Sequence, residues 1–117
     1  MRHKKDMRGF GRNKAHRRSF LRNLTLSFFQ SKRITTTEAR AKQLRRTVER
    51  LITVAKKQDL ASVRLINAYL NHPPTTRIVK ELGVKYLDRK GGYTRMMKLG
   101  TRKGDGSEMV VIQLVNE

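Results

Sequence analysis

Apolar residues recur three and four positions apart in four stretches of this chain, which is the spacing of amphipathic helices. The first stretch runs from residue 16 to about residue 30, and the second runs from about residue 36 to residue 55. The third follows Asp59, a residue type that often caps helices, and the fourth begins near Pro74. Gly83 is placed to cap the end of this last helix. The pattern predicts four helices joined by short polar segments.

The second and third stretches carry broad apolar stripes that we expect to be buried. The stripe of the second helix consists of Ala41, Leu44, Val48, Leu51, Ile52 and Ala55. The stripe of the third helix consists of Leu60, Val63, Ile66, Tyr69 and Leu70. Thr35 or Thr36 can cap the start of the second helix, and Glu38 and Lys42 are spaced for an ion pair on its surface.

The apolar periodicity changes after Gly91 and Gly92, where a turn is expected. Residues 93–99 and 109–115 have the pattern of strands, and the linker over residues 100–108 contains three glycines. This arrangement predicts a β-hairpin with a long basic tip, and the β-branched residues 34–36 favour a third strand. The expected fold class is α+β, with about four helices packed on a small mixed or antiparallel sheet.

Positive charge dominates the composition and is densest at the N-terminus. The 117 residues include 28 Lys and Arg against nine Asp and Glu, which gives a formal charge of +19. Residues 1–15 lack apolar periodicity and cannot form a core of their own. We therefore expect a basic N-terminal extension over residues 1–15 and one domain over residues 16–117. Such a charge distribution favours nucleic acid as the partner.

Residues suited to contact a polyanion occur in three places. The extension and first helix combine Lys and Arg with His and Asn, the second helix carries cations four residues apart, and the hairpin has a basic tip. Tyr93 is a candidate for stacking on a base, and packing in the core or in a turn is the alternative interpretation of the same residue. The full set of candidate RNA-binding residues is Arg2, His3, Lys4, Lys5, Arg8, Arg12, Asn13, Lys14, His16, Arg17, Arg18, Arg22, Lys42, Arg46, Arg50, Tyr93, Arg95, Arg102 and Lys103.

The chemistry of an enzyme or a metal site is missing from the sequence. There is no Cys, the nine acids are scattered, and the three His are far apart along the chain. Gly91 and Gly92 are followed by a strand pattern, so they do not form a phosphate-binding loop. We expect no catalytic residue, cofactor, metal or small-molecule substrate. No apolar run approaches the ~20 residues of a membrane span, so no membrane partner is expected.

An ordered set of short motifs runs through nearly the whole chain. It begins with MRHK at residues 1–4 and ITTTEA at 34–39, which is followed by the pairs Ala41-Lys42 and Leu44-Arg45. It continues with Leu51-Ile52-Thr53 and Ala55-Lys56, then Asp88-Arg89 and GGYTR at 91–95. It ends with Lys98-Leu99-Gly100, Arg102, Gly104-Asp105 and the apolar C-terminal strand. Together these motifs closely resemble the bacterial large-subunit ribosomal protein family L-seventeen.

The resemblance implies a structural constituent of the large ribosomal subunit, located in the cytoplasm within the ribosome. Its implied partners are the large-subunit ribosomal RNA, near the exit of the peptide tunnel, and neighbouring large-subunit ribosomal proteins. It also implies that Arg2, His3 and Lys4 contact RNA, and that the segment from Gly91 to Arg95 is a structural turn.

Two other classes of function remain open at this stage. A DNA-binding nucleoid or regulatory protein would share the charge and the consecutive helices, but the third helix has Arg64 as its only basic residue. A protein–protein scaffold is the other class, because the apolar C-terminal strand could pair at a sheet edge with a neighbour or a second copy.

Overall fold

The chain folds as helix, strand, three helices and a β-hairpin in a computed structural model, which describes residues 14–115. The helices are α1 (Lys14–Ser31), α2 (Glu38–Ala55), α3 (Leu60–Leu70) and α4 (Pro73–Lys85), and the strands are β1 (Arg33–Thr37), β2 (Thr94–Thr101) and β3 (Glu108–Leu114). The predicted α+β class, the four helices and the C-terminal hairpin are confirmed. Most of the predicted basic extension lies outside the described residues.

The three strands form one antiparallel sheet in which β3 is central. The strand order is β1–β3–β2, and Ile112 of β3 lies opposite Ile34 of β1 and Met96 of β2. Both edges of β3 are therefore occupied within the chain. The expectation that this apolar strand is free to pair with a neighbour or a second copy is wrong, because β1 already covers its second edge.

The second helix begins directly where the first strand ends. Thr37 pairs with Met109 as the last residue of β1, and it is also the N-cap of α2, with extended backbone angles and no side-chain capping bond. The predicted cap at Thr35 or Thr36 is wrong because both residues are held in the strand. The predicted ion pair is present, with Lys42 Nζ 3.1 Å from Glu38 Oε1.

The core lies between the helices and the sheet, and the α2 stripe is buried in it as predicted. The prediction for α3 is only partly correct. Ile66 and Leu70 are buried, whereas Leu60 is 63% exposed. Leu60 is the first residue of α3, beside the cap Asp59, whose Oδ1 accepts a hydrogen bond of 2.7 Å from the Ser62 backbone N–H. The Leu60 side chain therefore faces solvent although its spacing matches that of the buried residues, and Ser62 is the buried residue of the first turn.

The joint between α3 and α4 contains just two residues. Asn71 adopts a left-handed backbone conformation with φ of 52° and ends α3. His72 then caps α4, since its Nδ1 accepts a hydrogen bond from the Thr75 backbone N–H at 3.3 Å. Pro73 is the first residue of α4, where proline is well tolerated because its missing N–H would have no helical partner. The fourth helix thus begins one residue before the predicted Pro74.

Gly83 lies inside α4, buried against α2, and the prediction that it caps the helix is wrong. A Cβ atom at this position would lie 2.7 Å from the backbone carbon and oxygen of Ala55. The absence of a side chain allows the two helix backbones to approach each other closely. The helix continues beyond Gly83 to Lys85 because Gly83 keeps a helical conformation there.

Candidate nucleic-acid interface

Cations from two helices surround one cleft on the helical side of the fold. The cleft has a volume of about 470 Å³ and lies between α1, α2 and the end of α3. Its lining residues are Lys14, Arg17, Arg18, Leu21, Gln43, Arg46, Thr47, Arg50, Leu51 and Tyr69. Five of these ten residues are Lys or Arg and none is acidic. We call this feature the α1–α2 cleft.

Helical periodicity explains why these cations converge. In α1, the buried residues Leu21, Thr25 and Phe28 are spaced by three or four, so they face the neighbouring helices. Lys14, Arg17 and Arg18 lie on the turns of α1 that precede Leu21, and they line the cleft beside this contact between helices. In α2, Leu51 is buried and lines the cleft, and Arg46 and Arg50 flank it on the exposed side.

The side chain of Arg17 carries an unusual polar atom. Its Nε is buried and has no hydrogen-bond partner, and no other buried side-chain nitrogen or oxygen within residues 14–115 shares this condition. Leaving a buried donor unsatisfied costs roughly 1–3 kcal/mol, and more for a charged group. The atom therefore favours an acceptor from outside the described chain, and an anionic oxygen matches a guanidinium best.

The three α2 cations that are spaced four residues apart, Lys42, Arg46 and Arg50, do not all lie at the cleft. Arg46 and Arg50 line the cleft, whereas Lys42 lies outside its lining and is paired with Glu38. His16 and Arg22 lie on α1 and also do not line the cleft. The predicted residues of α1 that the structure brings together with Arg46 and Arg50 are Lys14, Arg17 and Arg18.

The hairpin cations form a separate group. Arg102 Nε donates to Asp105 Oδ1 at 3.2 Å, and this bond lowers the pKa of Asp105 and raises the pKa of Arg102. The tip spans only residues 102–107, because the two strands extend further than predicted. Lys103 is exposed at this tip, where the charge of Arg102 is already balanced locally.

A third group of basic residues lies on one face of the sheet. Arg33 of β1 and Arg95 of β2 both lie opposite Gln113 of β3, so the three side chains form a row on one face. Both arginines are exposed. Arg95 belongs to the predicted set, whereas Arg33 was missed. Arg33 comes to lie beside Arg95 because of the strand order, and the strand order cannot be predicted from the local sequence pattern.

Tyr93 is part of the core, and its predicted role in base stacking is wrong. The residue is 2% exposed, and its ring centroid lies 5.3 Å from that of Tyr86. Its hydroxyl accepts a hydrogen bond of 2.9 Å from Lys56 Nζ. Lys56 also donates to the Arg89 carbonyl, so Tyr93 fixes the turn that precedes β2 rather than presenting a surface to a base.

The remaining predicted contacts, Arg2, His3, Lys4, Lys5, Arg8, Arg12 and Asn13, lie outside the described residues. Within residues 14–115 there is no group of three or more His, Asp or Glu side chains that could hold a metal ion. No helix in this part of the chain is long and apolar enough to cross a membrane.

A small α+β domain with cations gathered around an acid-free cleft is typical of the basic proteins that accompany nucleic acid. A family model described as ribosomal protein L17 matches residues 20–115. The chain belongs to the ribosomal protein L17 family, which is a family of structural ribosomal proteins rather than of enzymes.

Curated relatives agree with this assignment. A protein named large ribosomal subunit protein bL17 from Alkaliphilus metalliredigens is 49% identical over 109 residues, which cover 92% of this chain and 96% of that protein. The protein of the same name from Fusobacterium nucleatum is 46% identical over 116 residues, covering 98% of this chain and 100% of the relative. That of Syntrophotalea carbinolica is 43% identical and covers 100% of this chain, which spans 76% of the relative.

Proposed function

We propose that this chain, as a structural constituent of the large ribosomal subunit, binds the large-subunit ribosomal RNA through the cations of its N-terminal extension, α1 and α2. The observation that carries the proposal is the α1–α2 cleft, where five Lys and Arg residues meet without any acid. Phosphates are the groups in a ribosome that can balance such a cluster, and each neutralised phosphate also releases counterions.

In this proposal two further parts of the chain contact RNA in addition to the α1–α2 cleft. The basic residues that precede α1 act as an extension, and the row formed by Arg33 and Arg95 supplies contacts on the sheet face. Most of these contacts position the protein on the phosphate backbone and carry no sequence information. The position near the tunnel exit and the contacts with neighbouring large-subunit proteins are carried over from the family resemblance.

A competition experiment tests the proposal against a DNA-binding role. We expect the full-length chain to bind a protein-free large-subunit ribosomal RNA transcript at least ten-fold more tightly than duplex DNA, because a folded RNA offers both phosphates and unpaired bases. Fluorescence anisotropy with labelled RNA and unlabelled competitors measures this ratio at one fixed salt concentration. A preference for duplex DNA would contradict the proposal and favour a nucleoid or regulatory role.

A further inference from the structure

The α1–α2 cleft has the two surfaces that a single nucleotide requires. Leu21 and Leu51 form an apolar floor and are both more than nine-tenths buried, and half-buried Tyr69 adds an aromatic ring to the same lining. The cations of α1 and α2 stand around this floor. A ridge of charge alone would suit a phosphate backbone, but an aromatic and aliphatic floor beneath it suits the flat face of a base.

The size of the cleft agrees with one nucleotide. Its volume of about 470 Å³ lies within the range of roughly 300–1,000 Å³ that is usual for sites binding one small molecule. A nucleic-acid duplex cannot enter a cavity of this size, whereas a nucleotide turned out of its helix can.

The buried Nε of Arg17 provides an independent reason to expect an anion in the cleft. This atom has no partner within the described chain. Arg17 is partly exposed and lines the cleft, so a rotation of its side chain would bring Nε to a phosphate oxygen that Arg46 and Arg50 also attract. The site lies at the first turns of α1, where the helix dipole further favours a negative charge.

We propose that the α1–α2 cleft binds one unpaired nucleotide of the RNA, with the base against Tyr69, Leu21 and Leu51 and its phosphate on Arg17. This inference rests on the proposed function and adds to it that the cleft recognises a base turned out of its helix, in addition to the phosphates that the rim neutralises. The chemistry of the cleft does not select among the four bases, because every base has a face that can stack.

The test separates stacking from charge by using three variants of the full-length chain. Tyr69→Leu removes the aromatic ring and keeps an apolar side chain, Tyr69→Phe keeps the ring, and Arg17→Gln removes one charge. Arg64→Gln, which removes an exposed cation of α3 outside the cleft, is the matched control. The probe is a protein-free large-subunit ribosomal RNA transcript, and thermal unfolding checks that each variant folds.

We expect Tyr69→Leu to weaken binding about ten-fold without changing the slope of log affinity against log salt, because no charge is lost. Tyr69→Phe should bind like the unmodified chain. Arg17→Gln should flatten the slope by about one unit and should weaken binding more than Arg64→Gln. Chemical probing should show one unpaired base that is protected in the complex and becomes reactive when Tyr69→Leu is used.

The inference is overturned if Tyr69→Leu binds as tightly as Tyr69→Phe while Arg17→Gln still flattens the slope, since the cleft would then hold only phosphate. That result would leave the proposed function intact. If the unmodified chain binds the transcript without salt dependence, the proposed function itself fails. Protection of a paired rather than an unpaired base would also contradict the inference.

Discussion

Replacing Gly83 with alanine is expected to destabilise the domain by about 2 kcal/mol, although the same change in an exposed helix normally stabilises. The added Cβ would lie 2.7 Å from the backbone carbon and oxygen of Ala55 and 2.8 Å from its Cβ. Backbone atoms cannot move aside as a flexible side chain can, so α2 and α4 must separate. Forcing extra volume into a packed core costs about 3 kcal/mol at the upper end of the usual range.

The direction of the stability change follows from comparing the steric cost of the added Cβ with the gain in helix propensity. Alanine gains about 1 kcal/mol over glycine in a helix interior, which offsets only part of the steric cost. The net loss should lower the thermal unfolding midpoint by about 8 °C in a domain of this size. Circular dichroism measured during heating detects such a shift directly.

Gly91 offers a matched control for this experiment. It carries the same chemical change to alanine, but no heavy atom lies within 4 Å of the position that the new Cβ would take, and its φ is not positive. We expect Gly91→Ala to change stability by less than about 0.5 kcal/mol. Equal stability of Gly83→Ala and the unmodified chain would show that the contact between α2 and α4 is looser than described.

Removing residues 1–13 is expected to weaken RNA binding strongly and to flatten its salt dependence. The deletion removes five cations, which are Arg2, Lys4, Lys5, Arg8 and Arg12. If each neutralises one phosphate, the slope of log affinity against log salt should become less negative by about 3.5 to 4.5. Every helix and strand of the described domain is retained, because α1 begins at Lys14.

The charge of the extension can be separated from its length. A full-length variant with the same five cations changed to glutamine should show the same flattened slope. A variant in which the residues of the segment 1–13 are placed in a shuffled order keeps all five charges and should keep the original slope. Affinity for a large-subunit ribosomal RNA transcript across a series of salt concentrations gives all three slopes. A deletion variant with an unaltered slope would remove the extension from the RNA interface.

Local patterns in the sequence predicted most of the fold, because helices, caps and hairpins depend mainly on residues that are close together along the chain. The six residues of the predicted apolar stripe of α2 follow helical spacing, and all are buried. Asp59 caps α3 through the backbone N–H of Ser62, three residues later in the chain. The alternation and the glycine-rich linker likewise predicted the hairpin of β2 and β3.

The errors concern contacts between distant segments. Gly83 looks like a helix cap until Ala55, 28 positions earlier, is found against its backbone. Tyr93 lies in a basic segment, and only its contacts with Tyr86 and Lys56 show that it is buried. These contacts depend on how helices and turns pack, and spacing along the chain does not reveal that packing.

The candidate site likewise combines residues that local patterns predict with contacts between distant segments that they do not predict. The cations of α1 and α2 were predicted individually from charge and helical spacing. The cleft that gathers them also needs Tyr69 of α3, which its spacing assigned to the core. The unsatisfied Nε of Arg17 is a property of the packed structure alone.

Ultraviolet cross-linking of intact large ribosomal subunits that contain this chain tests the central claim most directly. Mass spectrometry of the digested particles identifies which peptides of the chain carry a ribonucleotide. We expect cross-links within residues 1–18 and on the α2 segment that contains Arg46 and Arg50. Cross-links confined to α3 and α4, or none to ribosomal RNA, would contradict the account.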